Sequence, residues 1–181
     1  TEKKTSAVNM LKGRGRRVTA ELTIPRDVMI EHLRISPPQM HYGQGISTMS
    51  AFISNSSNNA AHPANGLAAL YLATGQDIAN IGESNQCSTY NKVTREGDYY
   101  FSITFPALIL ATYGGGTALP TQRECLEIMD CFGPGKALKL AEIAAALTVA
   151  GELSLGAASR IDQKTRKNEW VDAHEKLGRN R

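Results

Sequence analysis

Apolar residues recur along the chain with a helical period in one stretch and a strand-like period in others. Between positions 58 and 85, one set is spaced by three and four residues: Leu67, Leu70, Tyr71 and Thr74. That spacing predicts a helix with one buried face. Pro63 suits the first turn of such a helix, because the amide proton that it lacks would have no partner there. We therefore predict a buried helix from about 61–63 to Thr74, ended by Gly75.

Alternation with a period of two predicts strands on either side of this helix. The segments 18–24 (VTAELTI) and 99–105 both alternate. We expect 99–108 to pair with 85–93, since the sequence REGD at 95–98 can form the connecting turn.

Further helices are predicted over 26–34, ended by Ser36-Pro37-Pro38, from Pro120 to about Cys131, over 137–158, and, within the segment 169–181, as a short helix that ends at Gly178. The helix at 137–158 is rich in Ala and Leu, so we expect it to be buried, with Glu152 as a partnered structural carboxylate. The segment 41–57 is rich in Gly, Ser and Asn and predicts no element. The fold class expected is α/β (α+β), with long buried helices packed on a small mixed sheet.

Composition narrows the class of protein. With 181 residues, 41% hydrophobic and 20% charged, the chain can form one globular domain. A net charge of +3 permits anionic ligands without requiring nucleic acid. Cys87, Cys125 and Cys131 lack CxxC spacing, which favours free thiols in a reducing compartment over a zinc site. No uninterrupted apolar run reaches about 18 residues and the basic segment 1–17 has no apolar core, so we predict neither a membrane span nor a signal peptide, and a cytoplasmic location.

Polar groups stand at both ends of the predicted central helix. His62 and Asn65 are three residues apart near its start and are expected to share a face, while Asp77 follows its end. Taken alone, Lys3 and Lys4 in the basic segment would be a solvated arm or a phosphate-binding patch. By the same reasoning His174, near the C-terminus, would be a surface histidine.

Several short motifs occur in a fixed order: TEKK followed by GRGR, then HPAN, GQD, NIGESN, YGGGT, AGELSL and AHEKLGR. Together they resemble the catalytic domain of class I 3-hydroxy-3-methylglutaryl-CoA (HMG-CoA) reductases. The resemblance covers the C-terminal half of that catalytic region. It implies that residues 1–181 are the C-terminal portion of the substrate-binding domain, with the small NADP-binding insert and the N-terminal half absent.

The resemblance also implies a chemistry. The family reduces a thioester twice with NADPH, giving mevalonate and CoA. Carried over by motif, Lys3 would stabilise the oxyanion, Asp77 would keep Lys3 charged and have a lowered pKa, and His174 would protonate the departing thiolate. A further set would bind or orient the substrate: Lys4, His62 and Asn65.

The partners follow from the same resemblance. The NADPH site would lie mostly outside this chain, because the family's NADP-binding insert and a catalytic glutamate lie upstream, and the sequence contains neither GxGxxG nor a P-loop. The expected partners are HMG-CoA and either a second copy of the chain or a complementing N-terminal half, with no metal and no nucleic acid. With an upstream anchor, the location would be the cytosolic face of the endoplasmic reticulum.

Some positions depart from the family pattern. A substrate-binding lysine of the family has no counterpart between Lys12 and Lys92, and Gln44 is its nearest occupant; Ala111 and Tyr113 replace the usual Gly and Val. Two alternatives therefore stay open beside a reductase fragment or subunit. One is a non-catalytic reductase-like interaction or regulatory module, and the other is a basic nucleic-acid-binding module.

Overall fold

A three-stranded sheet forms the centre of the chain in a computed structural model that describes residues 2–11, 13–56 and 58–160. The strands are β1 (Arg16–Ile24), β2 (Ser88–Val93) and β3 (Tyr99–Leu108), in the spatial order β1-β3-β2. The predicted hairpin is confirmed, with Val93 opposite Tyr99. The mixed helix-and-sheet class is also confirmed, although the described strands pair antiparallel throughout instead of forming a mixed sheet.

Seven helices accompany this sheet in the described part of the chain. They are α1 (Val8–Leu11), α2 (Arg26–Val28), α3 (Pro37–Ile53), α4 (Pro63–Thr74), α5 (Ile81–Ser84), α6 (Pro120–Ile128) and α7 (Ala137–Arg160). A π-helical turn, Met29–Leu33, continues α2, and two 3-10 turns lie at Ile78–Asn80 and Gly115–Ala118. The helices predicted at 26–34, 61–74, 120–131 and 137–158 are confirmed, with end points that differ by a few residues.

The core lies between one face of the sheet and the helices. Alternate residues of β3 are fully buried, including Phe101, Ile103 and Phe105. Helix α7 packs against β1, α3 and α4 and supplies Leu140, Ala144 and Val149 to the same core. Burial of a period-two face and a helical face together explains why these segments adopt the structures that their patterns predict.

Helix α3 is the longest element that the sequence pattern did not predict. Ser36-Pro37-Pro38, interpreted above as the end of a helix, is instead the start of α3: the backbone N–H of Ser36 donates to Gln39 Oε1 at 3.1 Å, and proline occupies the first turn. Its inner face is short, with Pro37, Met40 and Gln44 buried. Its outer face carries exposed apolar side chains: Tyr42, Ile46, Met49, Phe52 and Ile53.

Helix α7 is a core helix. By length and composition, its residues Ala137–Ser159 could cross a membrane, but 56% of the most apolar window is buried inside the protein. Its small and aliphatic side chains contact the sheet and α4, which accounts for its apolar composition without a lipid environment.

The three cysteines are free thiols, and Cys87 and Cys131 are buried.

Candidate active site

The C-terminal end of α4 places Asp77 at the protein surface. Gly75 caps the helix in the left-handed conformation (φ 68°), and its N–H donates to the carbonyl of Tyr71. Asp77 then adopts an extended conformation, in which its Oδ1 accepts the N–H of Ala79 at 3.1 Å. The helix end therefore fixes both the position and the direction of this carboxylate.

Lys3 and Asp77 form an ion pair. The Nζ of Lys3 lies 2.6 Å from Oδ2 of Asp77, and the two side chains are 44% and 47% exposed. The hydrogen bond from Lys3 and then that from the Ala79 N–H lower the pKa of Asp77. The lowered pKa expected for Asp77 in such a pair is thus present.

The turn that carries Lys3 has an unusual backbone conformation. Lys3 has a φ of 56°, in the left-handed region that most side chains avoid. Its N–H donates to the carboxylate of Glu83, and the Thr5 hydroxyl donates to the carbonyl of Gly82 at 3.0 Å. The two segments meet so closely that a Cβ on Gly82 would lie 2.9 Å from the Lys3 carbonyl oxygen. Helix α5 therefore supports the Lys3 turn directly.

Arg14 and Glu83 lie beneath this turn, and sequence reasoning assigned neither a role. The guanidinium group of Arg14 contacts both carboxylate oxygens of Glu83, through Nη2–Oε1 at 3.0 Å and Nε–Oε2 at 3.3 Å. It also donates to Glu2 Oε1 at 2.9 Å and to Asn80 Oδ1 at 3.2 Å. Burial by itself raises the pKa of Glu83, but the hydrogen bonds from Arg14 and the Lys3 N–H outweigh it, so the net pKa is lowered. The hydrogen bond with Glu83 raises the pKa of Arg14.

A cavity of about 560 Å³ adjoins Asp77. It lies between the turn after α4 and the glycine-rich segment 111–117, and Gln76 links the two by accepting from the Ala111 N–H at 2.7 Å and donating to its carbonyl at 2.9 Å. The backbones touch at Gly75 and Gly116, where a Cβ on Gly75 would lie 2.3 Å from the Gly116 oxygen. These contacts give the cavity a fixed wall next to the Lys3–Asp77 pair.

The other end of α4 is held by α7. The carboxylate of Glu152, 7% exposed, accepts the N–H groups of Ala61 at 3.0 Å and His62 at 2.8 Å. The predicted partnered role of Glu152 is therefore confirmed. The His62 ring packs against Gly151, where a Cβ would lie 2.1 Å from Cε1, whereas Asn65 is exposed.

The structure brings only some of the predicted site residues together. His62 caps the start of α4 and Asn65 is the third residue of that helix, whereas Asp77 follows its other end; the 12-residue helix is roughly 18 Å long. Lys4 has an exposed side chain on the turn that carries Lys3. His174 lies outside the described residues.

Gln44 faces the interior of the protein. Its side chain is 3% exposed and donates to Thr89 Oγ1 of β2 at 3.3 Å. The structure therefore gives this amide a contact between α3 and the sheet, and not the surface position that a replacement for a substrate-binding lysine would need. The departure from the family pattern at this position stands.

The sequence of this chain is similar to those of a family of oxidoreductases. Residues 1–179 match the family described as hydroxymethylglutaryl-coenzyme A reductase, whose members are oxidoreductases. Because the match covers almost the whole chain, the chain belongs to the hydroxymethylglutaryl-coenzyme A reductase family.

Curated relatives carry the same name. The chain is 42% identical over 186 residues to 3-hydroxy-3-methylglutaryl-coenzyme A reductase of Pyrococcus abyssi, which covers 98% of this chain and 44% of the relative. It is 38% identical over 179 residues to the Methanocaldococcus jannaschii protein, covering 98% and 42%. It is 41% identical over 167 residues to the Drosophila melanogaster protein, covering 87% and 18%. The chain thus spans less than half the length of these relatives.

Proposed function

We propose that this chain is part of an HMG-CoA reductase, and that the complete enzyme reduces HMG-CoA to mevalonate and CoA in a four-electron reaction with NADPH. The observation that carries the proposal is the Lys3–Asp77 ion pair, 2.6 Å long, beside a cavity and within a family match over 1–179. Residues 1–181 would be the C-terminal portion of the substrate-binding domain.

The ion pair suits the polarisation of a thioester carbonyl. Charge develops on the carbonyl oxygen as the thioester is reduced, and a fixed ammonium group stabilises that charge. Asp77 keeps Lys3 protonated and directs it, because its carboxylate is itself fixed by the N–H of Ala79. Lys4, on the same turn, would bind a negatively charged part of the substrate, and His174 would protonate the CoA thiolate.

The cavity beside Asp77 does not suit the phosphate groups of the nicotinamide cofactor. Its lining residues are glycines, aliphatic residues, Tyr113, polar uncharged residues and the carboxylate of Asp77, with no lysine or arginine among them to meet the phosphate groups. A dinucleotide phosphate needs such cations or a helix N-terminus with free N–H groups. We therefore propose that NADPH binds mainly to parts of the enzyme outside the described residues.

The two ends of α4 point to a site shared between copies. Lys3 and Asp77 lie at one end, and His62 and Asn65 at the other, too far apart for one thioester group to touch both. In a homo-oligomer, the His62 end of one copy would complete the Lys3–Asp77 end of another. A complementing N-terminal half would supply the remaining groups.

Substitution of Lys3 tests this function in the full-length gene product. We expect Lys3→Ala to lower kcat for HMG-CoA-dependent NADPH oxidation on the order of 10²- to 10³-fold, as for loss of one oxyanion donor. Lys136→Ala is the matched control, because Lys136 also forms a 2.6 Å ion pair, with Asp130, at a similar exposure of 40%. Its kcat should equal that of the parent.

Two results would contradict the assignment. If Lys3→Ala and Asp77→Ala oxidise NADPH as fast as the parent, these residues are not catalytic. If the parent itself shows no HMG-CoA-dependent turnover, the non-catalytic interaction or regulatory module is the better description. Salt-dependent binding of DNA or RNA would instead favour the basic binding module.

A further inference from the structure

The backbone that carries Lys3 is fastened to one buried carboxylate. Glu83 is 2% exposed, and it accepts the Lys3 N–H on the same oxygen, Oε1, that binds Nη2 of Arg14. A buried carboxylate without partners would be strongly unfavourable, so its position depends on both donors. The geometry of the Lys3 turn is therefore coupled to the contact between Arg14 and Glu83.

Arg14 is suited to hold Glu83 in one orientation. Its guanidinium group is planar and donates from Nε and Nη2 to the two carboxylate oxygens, an arrangement that lysine cannot reproduce. It also binds Asn80 and Glu2, so it connects the segments on both sides of the Lys3–Asp77 pair. The charge of Arg14 is thus used for orientation as well as for neutralisation.

We propose that Arg14 and Glu83 are a positioning pair that holds Lys3 in its left-handed turn with its ammonium group against Asp77. This inference rests on the proposed function for its catalytic meaning, although its geometric part does not. Without the Glu83 acceptor, the Lys3 N–H loses its partner and the strained φ of 56° loses its support. The Lys3 side chain then moves away from Asp77 and from a substrate carbonyl.

The consequence for turnover follows from the size of that movement. A displacement of about 1 Å at a catalytic group can cost about 100-fold in rate. Glu83 is buried and Arg14 is bonded to Glu83, Glu2 and Asn80, so their loss should act through the Lys3 turn. We expect kcat to fall and KM for HMG-CoA to rise as well, because Lys4 lies on the same turn. A general loss of folding would lower the active fraction and the melting temperature together instead.

The test combines carboxyl NMR with kinetics on Glu83→Gln and Arg14→Lys. The pKa of Asp77 is measured by ¹³C NMR of its side-chain carboxyl in the 181-residue chain. In Glu83→Gln, removal of a nearby negative charge by itself would lower the pKa of Asp77, whereas separation of Lys3 from Asp77 raises it. We expect a rise toward the ordinary value in both variants, and a kcat in the full-length enzyme roughly 10- to 100-fold below that of the parent.

Matched controls are available on α6. Arg123 and Glu127 form an exposed pair, with Nε 2.7 Å from Oε1, remote in sequence from Lys3 and Asp77. Arg123→Lys and Glu127→Gln should leave both the pKa of Asp77 and kcat unchanged. An unchanged or lowered pKa of Asp77 in Arg14→Lys and Glu83→Gln overturns the positioning role, whatever turnover does. The pKa of Asp77 can be measured without enzyme activity, so this test does not depend on whether the parent reduces HMG-CoA. If Glu83→Gln does not fold, Arg14→Lys alone provides the test.

Discussion

The ion pairs around Lys3 differ in burial, and they should therefore differ in how much they contribute to the stability of the fold. Lys3 and Asp77 are each nearly half exposed, and exposed pairs contribute little to folding. Glu83 is buried, and removing its contacts leaves donors without acceptors inside the protein. At the scale of single residues, we therefore expect loss of Lys3 to cost little folding stability, whereas loss of Glu83 should cost more.

Glu83 should make the stability of the chain depend on acid. Burial raises its pKa, but Arg14 and the Lys3 N–H lower it further, so the folded pKa lies below the unfolded one. Its contribution is then complete above the unfolded pKa and is lost as the pH falls through the folded pKa. We expect urea-unfolding free energies to decline more steeply with acid in the parent than in Glu83→Gln.

The same urea-unfolding measurements give the size of the Glu83 contribution to stability at neutral pH. Glu83→Gln should be less stable than the parent at pH 7 by about 1.5–3 kcal/mol, the range for hydrogen bonds to a charged group. Glu127→Gln, with an exposed carboxylate, serves as the comparison and should lose about 0–1 kcal/mol. Equal acid slopes for Glu83→Gln and the parent would count against this account.

At the scale of elements, both ends of helix α4 are held by specific contacts. Glu152 of α7 binds the N–H groups at its start, and the left-handed Gly75 ends it before Asp77. One helix therefore joins the segment at His62 to the turn that carries Asp77. Packing between α4 and α7 therefore bears on both groups of proposed site residues.

Gly151→Ala tests this packing. The new Cβ would lie 2.1 Å from His62 Cε1, so either the ring or the helix must move, and we expect a loss of about 1–3 kcal/mol in thermal or urea unfolding. Gly45→Ala in α3 is the matched control, since a Cβ there meets nothing within 4 Å. That variant should gain about 0.5–1 kcal/mol from helix propensity. A Gly151→Ala protein as stable as Gly45→Ala would disprove the close contact.

The elements that sequence reasoning found are those whose pattern is set by burial. Helix α4 and the β2–β3 hairpin show regular periods because one face of each is buried. Helix α3 was missed because few of its residues face the core and its exposed face is apolar, so no period separated inside from outside. Its only local signal was the capping sequence Ser36-Pro37-Pro38-Gln39, which was interpreted in the opposite sense.

Only some residues of the candidate site could be predicted from the sequence, because contacts between distant segments leave no local pattern. The family motifs named Lys3 and Asp77, and their contact depends on a fold that brings distant segments together. Arg14 and Glu83 lie in the motifs GRGR and NIGESN, yet nothing in one sequence indicates that an arginine and a glutamate so far apart will meet. A single carboxylate within the short stretch NIGESN was the only local signal for Glu83.

At the scale of the whole molecule, the outer face of α3 is unusually apolar. Tyr42, Ile46, Met49 and Ile53 follow a helical spacing and are 53–76% exposed, with Phe52 beside them at 81%. An exposed apolar stripe of this kind marks an interaction surface in soluble proteins. The chain spans less than half of its relatives, so we expect this face to be covered in the complete protein.

This face should make the isolated chain associate. In sedimentation velocity, we expect the 181-residue chain to form concentration-dependent oligomers, because covering the stripe removes apolar surface from water. Ile46→Ser with Met49→Ser should shift the chain toward monomer without lowering its melting temperature, since both positions are exposed. Leu138→Ser, on the exposed side of α7, is the control and should leave association unchanged. A parent chain that stays monomeric at all concentrations would be inconsistent with this surface.

The contact between Gly75 and Gly116 constrains how the sequence can diverge. A Cβ on Gly75 would collide with the Gly116 oxygen at 2.3 Å, and one on Gly116 would lie 2.7 Å from the Gly75 oxygen. Neither glycine can therefore be replaced by a residue with a side chain unless the backbone of the other turn moves. A lineage that lost one of the two glycines would have to rebuild both turns together, so we expect this small patch of main chain to change as a single unit.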